Sequence, residues 1–90
     1  RGAFLVIADE SRRPDAIGLA AELRRSGITV DYSLRPAKVW RQFEQAEALR
    51  AKYAVVSGQE WPGIRIKELA DRTERILSIR DLPGALWSGR

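Results

Sequence analysis

Three short apolar runs, separated by two proline-led amphipathic stretches, constrain this chain more than any other feature. Ala3-Phe4-Leu5-Val6-Ile7-Ala8 is continuous and carries β-branched residues, the pattern of a strand covered on both faces. Asp9 to Arg13 then turns the chain, and Pro14 suits a first helical position, where a missing N–H costs nothing. Ala16, Leu19, Ala20 and Leu23 recur at helical spacing, and Gly27 is placed for a left-handed cap. Ile28 to Leu34 sets Ile28, Val30 and Tyr32 against Thr29, Asp31 and Ser33, a strand with one wetter side and an expected sheet edge.

Arg35-Pro36 reads as the opening of a second helix by the same proline logic. Val39, Phe43, Ala46 and Leu49 or Arg50 give it one apolar face, with Lys38, Arg41, Gln45 and Ala48 opposite. Tyr53-Ala54-Val55-Val56 is a third strand buried on both sides. Strand, helix, strand, helix, strand in that order implies a parallel three-stranded sheet with right-handed crossovers. After it the period changes. Ile64, Ile66 and Leu69 interleave with Arg65, Lys67 and Glu68, and Thr73 to Ile79 places Ile76, Leu77 and Ile79 among polar residues, so two further short strands are expected. Pro83-Gly84 stops any helix beginning at Asp81-Leu82. The expected organisation is one α/β domain over residues 1–80 and a connector-like tail over 81–90, where Trp87 packs back locally.

Ninety residues suffice for one core and leave no room for a second. No apolar run approaches a membrane span, and Arg1-Gly2-Ala3-Phe4 enters the first strand without the order of a secretory signal. The chain has no cysteine, which excludes disulfides and thiolate chemistry and allows a reducing compartment; the cytoplasm is the expected location. It has no histidine, which removes the usual neutral-pH base and the commonest metal ligand. Of 16 basic residues 13 are arginine, within a net charge of +4. Guanidinium grips phosphate with two parallel hydrogen bonds and stacks on bases, so nucleic acid is a candidate partner. GC-rich coding yields the same usage.

In an open sheet whose parallel strands run 2-1-3, ligands bind beyond the carboxyl ends of strands 1 and 3. Those ends deliver Asp9-Glu10-Ser11-Arg12-Arg13 and Ser57-Gly58-Gln59-Glu60-Trp61. An exposed Trp61 beside Gln59 and Glu60 suits base reading: the ring stacks, the amide pairs with adenine, and the carboxylate accepts from an exocyclic amine or guanine N–H. The plainer alternative folds Trp61 over the sheet edge. Arg35, Lys38 and Arg41 cluster where the second helix dipole favours anions, as phosphate contacts or as a solvated helix end. Trp40, one residue from the apolar stripe, is expected in the core more than as a stacking platform. A phospho-accepting receiver site would need an aspartate after strand 3, where Ser57-Gly58 stands, and the glycine-free turn from Asp9 to Pro14 cannot form a dinucleotide loop. Asp9-Glu10 and Arg12-Arg13 are expected to form local ion pairs.

"AELRRSGITVDYSL", "RQFEQAEALRAKYAVVSGQEW" and "GIRIKEL", in this order, resemble the C-terminal anticodon-binding domain of class II aminoacyl-tRNA synthetases, in its histidyl form. The matching positions are Leu23, Arg24, Gly27, Gln42, Ala46, Gly58 and Glu60, and Ile64 to Leu69 resembles the histidyl branch's Val-x-Val-Lys-Asp-Leu. The family's basic pair before its glutamine is here Lys38-Val39-Trp40-Arg41, and its glycine before the third strand is Arg50-Ala51. The resemblance implies a three-layer α/β/α domain with a five-stranded mixed sheet, strands 1–3 parallel and strand 4 antiparallel. It implies binding to the anticodon of histidine tRNA, with Arg35, Lys38 and Arg41 on phosphates and Gln59, Glu60 and Trp61 on bases. It implies no cofactor here, while a separate domain of a homodimeric parent uses ATP and Mg to charge the tRNA. The class II catalytic motifs are absent from this chain. The same domain also occurs in paralogues that serve regulation or dimerisation. A flavodoxin-like enzyme or nucleotide binder is a further reading, for which the chain offers no base, nucleophile or phosphate loop.

Overall fold

The alternating apolar runs become a single twisted sheet in a computed structural model that describes residues 2–58, 61 and 63–82. Its strands are β1 (Ala3–Ile7), β2 (Val30–Tyr32), β3 (Tyr53–Ser57), β4 (Gly63–Glu68) and β5 (Glu74–Ser78), in the spatial order β2-β1-β3-β4-β5. β1 pairs in parallel with β2 and β3, while β4 is antiparallel to both β3 and β5. Helices α1 (Arg13–Arg25) and α2 (Val39–Ala48) are the crossovers. One steps from β1 to one side and the other steps back past it, so crossovers of the same hand lie on opposite faces of the sheet.

Alternation along the strands sorts the core into two layers. Ala3, Leu5, Ile7, Val30, Tyr53, Val55, Ile64 and Ile66 meet Ala16, Leu19, Ala20 and Leu23 of α1. On the other face Phe4, Val6 and Ala54 meet Ala46 of α2, with Phe43, Val56 and Leu69 at the margin. The α1 layer is complete across the sheet, whereas α2 covers the β1–β3 side and leaves β4 and β5 open on its face. Leu82, placed in the tail by the sequence, is fully buried in the α1 layer, so packing extends at least that far. Trp87 and the Pro83-Gly84 stop lie outside the described residues.

Both helices end the same way. Gly27 has φ 89°, its N–H donates to Arg24 C=O at 3.0 Å, and Ile28 N–H donates to Leu23 C=O at 3.0 Å. After α2, Arg50 takes the equivalent place with φ 58°, donating to Glu47 C=O, while Ala51 N–H donates to Ala46 C=O. Glycine adopts that left-handed backbone freely and arginine does so at a cost.

Two expectations need correction. The second helix begins at Val39, three residues after Pro36, because Lys38 is extended (φ −64°, ψ 152°) and the Ala37 carbonyl is turned to the Gln42 side chain, 2.8 Å away. The second strand is shorter than Ile28–Leu34, because Ile28 closes the end of α1 and the ladder stops at Tyr32. It is an edge strand, as expected.

Candidate nucleic-acid interface

Past the last β2–β1 pair, the backbone of Ile7 on that side has no strand to bond. Gln42 replaces one. Its Oε1 accepts from Ile7 N–H at 2.8 Å and its Nε2 donates to Ile7 C=O at 2.9 Å and Ala37 C=O at 2.8 Å. The side chain is fully buried, and three partners satisfy it. The contact ties the first turns of α2 to the carboxyl end of β1, where the strand order reverses and an open α/β sheet forms its crevice.

The loop leaving β1 is equally fixed. Asp9 accepts from the Ser11 hydroxyl at 2.7 Å and the Ser11 N–H at 3.0 Å, which hold its carboxyl below its ordinary value. Arg13 donates to both oxygens of Glu10, at 2.7 and 3.1 Å, lowering that carboxyl too, and reaches Ser33 C=O at 2.8 Å. Arg12 pairs with Asp15 at 3.1 Å. Of the ion pairs expected between Asp9-Glu10 and Arg12-Arg13, Glu10–Arg13 forms, while Arg12 turns to Asp15 and Asp9 binds a serine instead.

Between α2 and the uncovered strands lies a groove of about 720 Å³, lined by Ala8, Asp9, Glu10, Val39, Phe43, Val56, Gly58, Arg65, Lys67 and Glu74. Arg65 and Lys67 face it because Ile64 and Ile66, which alternate with them, enter the α1 layer. The Lys67 ammonium sits 5.4 Å from the centre of the Phe43 ring, and the Arg65 guanidinium lies 3.8 Å from Glu74. The groove thus combines apolar walls, a cationic floor and carboxylates. Flat, amphipathic, anionic ligands such as unpaired nucleotides need that combination.

Arg35, Lys38 and Arg41 are exposed at the amino end of α2, and none has an ion-pair partner among the described residues. The side chain of Lys38 does not cap the helix, and its first turn carries no acidic residue. Trp40, expected in the core, is instead 55% exposed, with the Arg41 guanidinium 5.2 Å from its ring centre. At roughly 100° per residue, Gln42, Phe43 and Ala46 take the inward positions and turn Trp40 outward.

Trp61 does not join this cluster. It is half-buried, packs with the α1 layer, and lines a separate groove with Gly18, Leu19, Glu22 and Ile79. The residues that the resemblance assigns to one binding site therefore divide: Arg35, Lys38 and Arg41 are exposed at the amino end of α2, while Trp61 lies on the opposite, α1 face of the sheet. Burying the indole removes more apolar surface from water than a loop-tip position would. Gln59 and Glu60 lie outside the described residues. The sequence reading missed Arg65 and Lys67 as site residues and Gln42 as the buried clamp. The Ile-Arg-Ile-Lys alternation signals the first two once the apolar set is assigned to the thicker α1 layer.

Among the described residues no helix is long and apolar enough to cross a membrane, and no group of three or more acidic side chains is placed to hold a metal ion. A family model described as "Anticodon binding domain" matches residues 3–86. The histidine–tRNA ligase of Anaeromyxobacter sp. (strain K) is 37% identical over 82 residues, covering 88% of this chain and 20% of that protein. That of Synechococcus sp. (strain CC9902) is 33% identical over 88 residues, with 93% and 20% covered. The apo histidyl-tRNA synthetase of S. aureus superposes with a TM-score of 0.85 at 25% identity, covering 94% of this chain and 23% of that one. The RNA binding domain of threonyl-tRNA synthetase from Cryptosporidium parvum Iowa II shares the fold, with a TM-score of 0.88 at 18% identity, covering 98% of this chain and 23% of that one. The chain spans about a fifth of the length of the curated relatives it matches.

Proposed function

This chain belongs to the anticodon-binding domain family, and from that premise we propose that it holds the anticodon loop of histidine tRNA for a histidine–tRNA ligase. The observation that carries the reading is the α2-face groove with Arg65 and Lys67 in its lining, on the same face of the sheet as the helix whose amino end exposes Arg35, Lys38 and Arg41. In this reading the three exposed cations hold backbone phosphates, which position the loop without reading its sequence. Unstacked bases enter the groove against Val39 and Phe43, where Arg65 and Lys67 donate and Asp9 and Glu10 accept. Gln59 and Glu60, which follow the groove-lining Gly58, contribute to base recognition, and Trp61 secures the β3–β4 connection from the other face. ATP, Mg and the charging chemistry belong to a separate domain of a homodimeric, cytoplasmic parent, and this domain uses no cofactor. Its curated relatives carry ligase names, which favours a charging enzyme over a regulatory paralogue.

Filter binding with histidine tRNA and an unrelated tRNA tests the proposal. The expected result is tighter binding of histidine tRNA, with log affinity falling against log salt at a slope of about −2 for three phosphate contacts to a single-stranded loop. Reversing the charge (Arg35→Glu, Lys38→Glu, Arg41→Glu) should abolish binding and leave thermal unfolding unchanged. Equal, salt-insensitive affinity for both tRNAs would refute it.

A further inference from the structure

We infer that Trp40 and Arg41 form a stacking platform for one unpaired nucleobase at the rim of the α2 groove. The inference rests on the tRNA-binding reading and adds a contact to it. Trp40 keeps 55% of its surface open even with the Arg41 guanidinium 5.2 Å from its ring centre. The core does not require it there, since Gln42 and Ala46 fill the inward positions of α2. Val39 and Phe43 line the groove, and Trp40 directly follows the first and precedes the second by one turn, which sets the indole at the groove's edge.

Charge selects the occupant. Leu34 at 83% exposure and Val39 at 38% make this end of α2 apolar as well as basic, a mixture that could dock a protein or an RNA loop. An apolar protein surface would meet Arg35, Lys38 and Arg41 with nothing to neutralise them, and no acidic side chain among the described residues pairs with them either. An RNA loop brings phosphates to the three cations and a π-face to the indole in the same strand. Every base has a π-face, so this contact adds affinity without choosing a base.

The test uses the full 90-residue chain labelled with 5-fluorotryptophan, the Trp40 resonance being assigned from Trp40→Phe. It is titrated with an RNA hairpin bearing the histidine anticodon loop, with the same hairpin carrying a changed loop sequence, and with a duplex of the same stem. The Trp40 resonance should move with either hairpin and stay still with the duplex. Trp40→Ala should weaken both hairpins by the same factor, roughly 5- to 100-fold, and Trp40→Phe should restore most of it. Its thermal unfolding should match the parent's. Equal hairpin affinity for parent and Trp40→Ala would overturn the platform and leave the tRNA-binding reading standing. A resonance that follows protein concentration and ignores RNA would overturn it in favour of self-association. Failure of the parent chain to bind any hairpin would remove both readings.

Discussion

Gln42 shows why a polar residue inside an apolar stripe has to be read by its hydrogen bonds. Fully buried, it satisfies the N–H and C=O of Ile7 and the C=O of Ala37. Gln42→Leu keeps the bulk and orphans three backbone groups, each costing about 1–3 kcal/mol when buried, so urea unfolding should show a loss of roughly 3–5 kcal/mol. The two left-handed residues that end the helices, Gly27 and Arg50, make an opposed pair of predictions. Arg50→Gly relieves the strained φ of 58° and should raise stability by about 1 kcal/mol. Gly27→Ala, at φ 89°, should lower it by a similar amount, about 1 kcal/mol. Thermal melts of both check this, a shift of roughly 4–8 °C per kcal/mol being expected in a domain of this size. Gly27 was legible in the sequence because glycine after an apolar helix is a strong terminator. Arg50 was marked only by the resemblance, as the place of the family's glycine, and its left-handed backbone is seen only in the coordinates.

At the scale of elements, the three parallel strands were readable from their apolar runs and the proline-led helices between them, and the Ile-Arg-Ile-Lys alternation fitted a strand better than a helix, while the antiparallel fourth strand came from the family resemblance. The start of α2 was not readable. Pro36 is compatible with a first helical turn, and the decisive contact, Gln42 to Ala37, appears only once the helix is folded. The orientation of Trp40 fails for the same reason, since a one-residue shift in helical phase exchanges an inward for an outward position. The turn after β1 carries a pH prediction. Asp9 and Glu10 both ionise below their ordinary 3.8 and 4.5, Asp9 through Ser11 and Glu10 through Arg13. The folded chain therefore holds fewer protons than the unfolded chain in that range. The resulting stability is present at neutral pH and is lost as the pH falls below about 4.5. Because Glu10 is exposed and Asp9 only half-buried, the effect is small. Glu10→Gln should flatten the dependence seen in urea melts between about pH 5 and about pH 3.

For the whole molecule, the two faces of the sheet divide the work. The α1 face carries the thicker core, including Trp61 and Leu82, while the α2 face is left partly bare and holds the groove. That a groove opens at the carboxyl ends of β1 and β3 followed from topology. Which loop residues belong to which face did not follow, because a connection between antiparallel strands can fold to either side and the sequence does not weigh its indole against its carboxylates. The central claim, that the α2 face meets RNA, is tested most directly by mapping amide chemical-shift changes as the isotopically labelled chain is titrated with the histidine anticodon hairpin. The expected changes centre on Ala8 to Glu10, Arg35 to Phe43, Gly58, Arg65 and Lys67, leaving the outer face of α1 from Ile17 to Arg25 unmoved. Changes centred on α1 and Trp61, with the α2 groove silent, would contradict it.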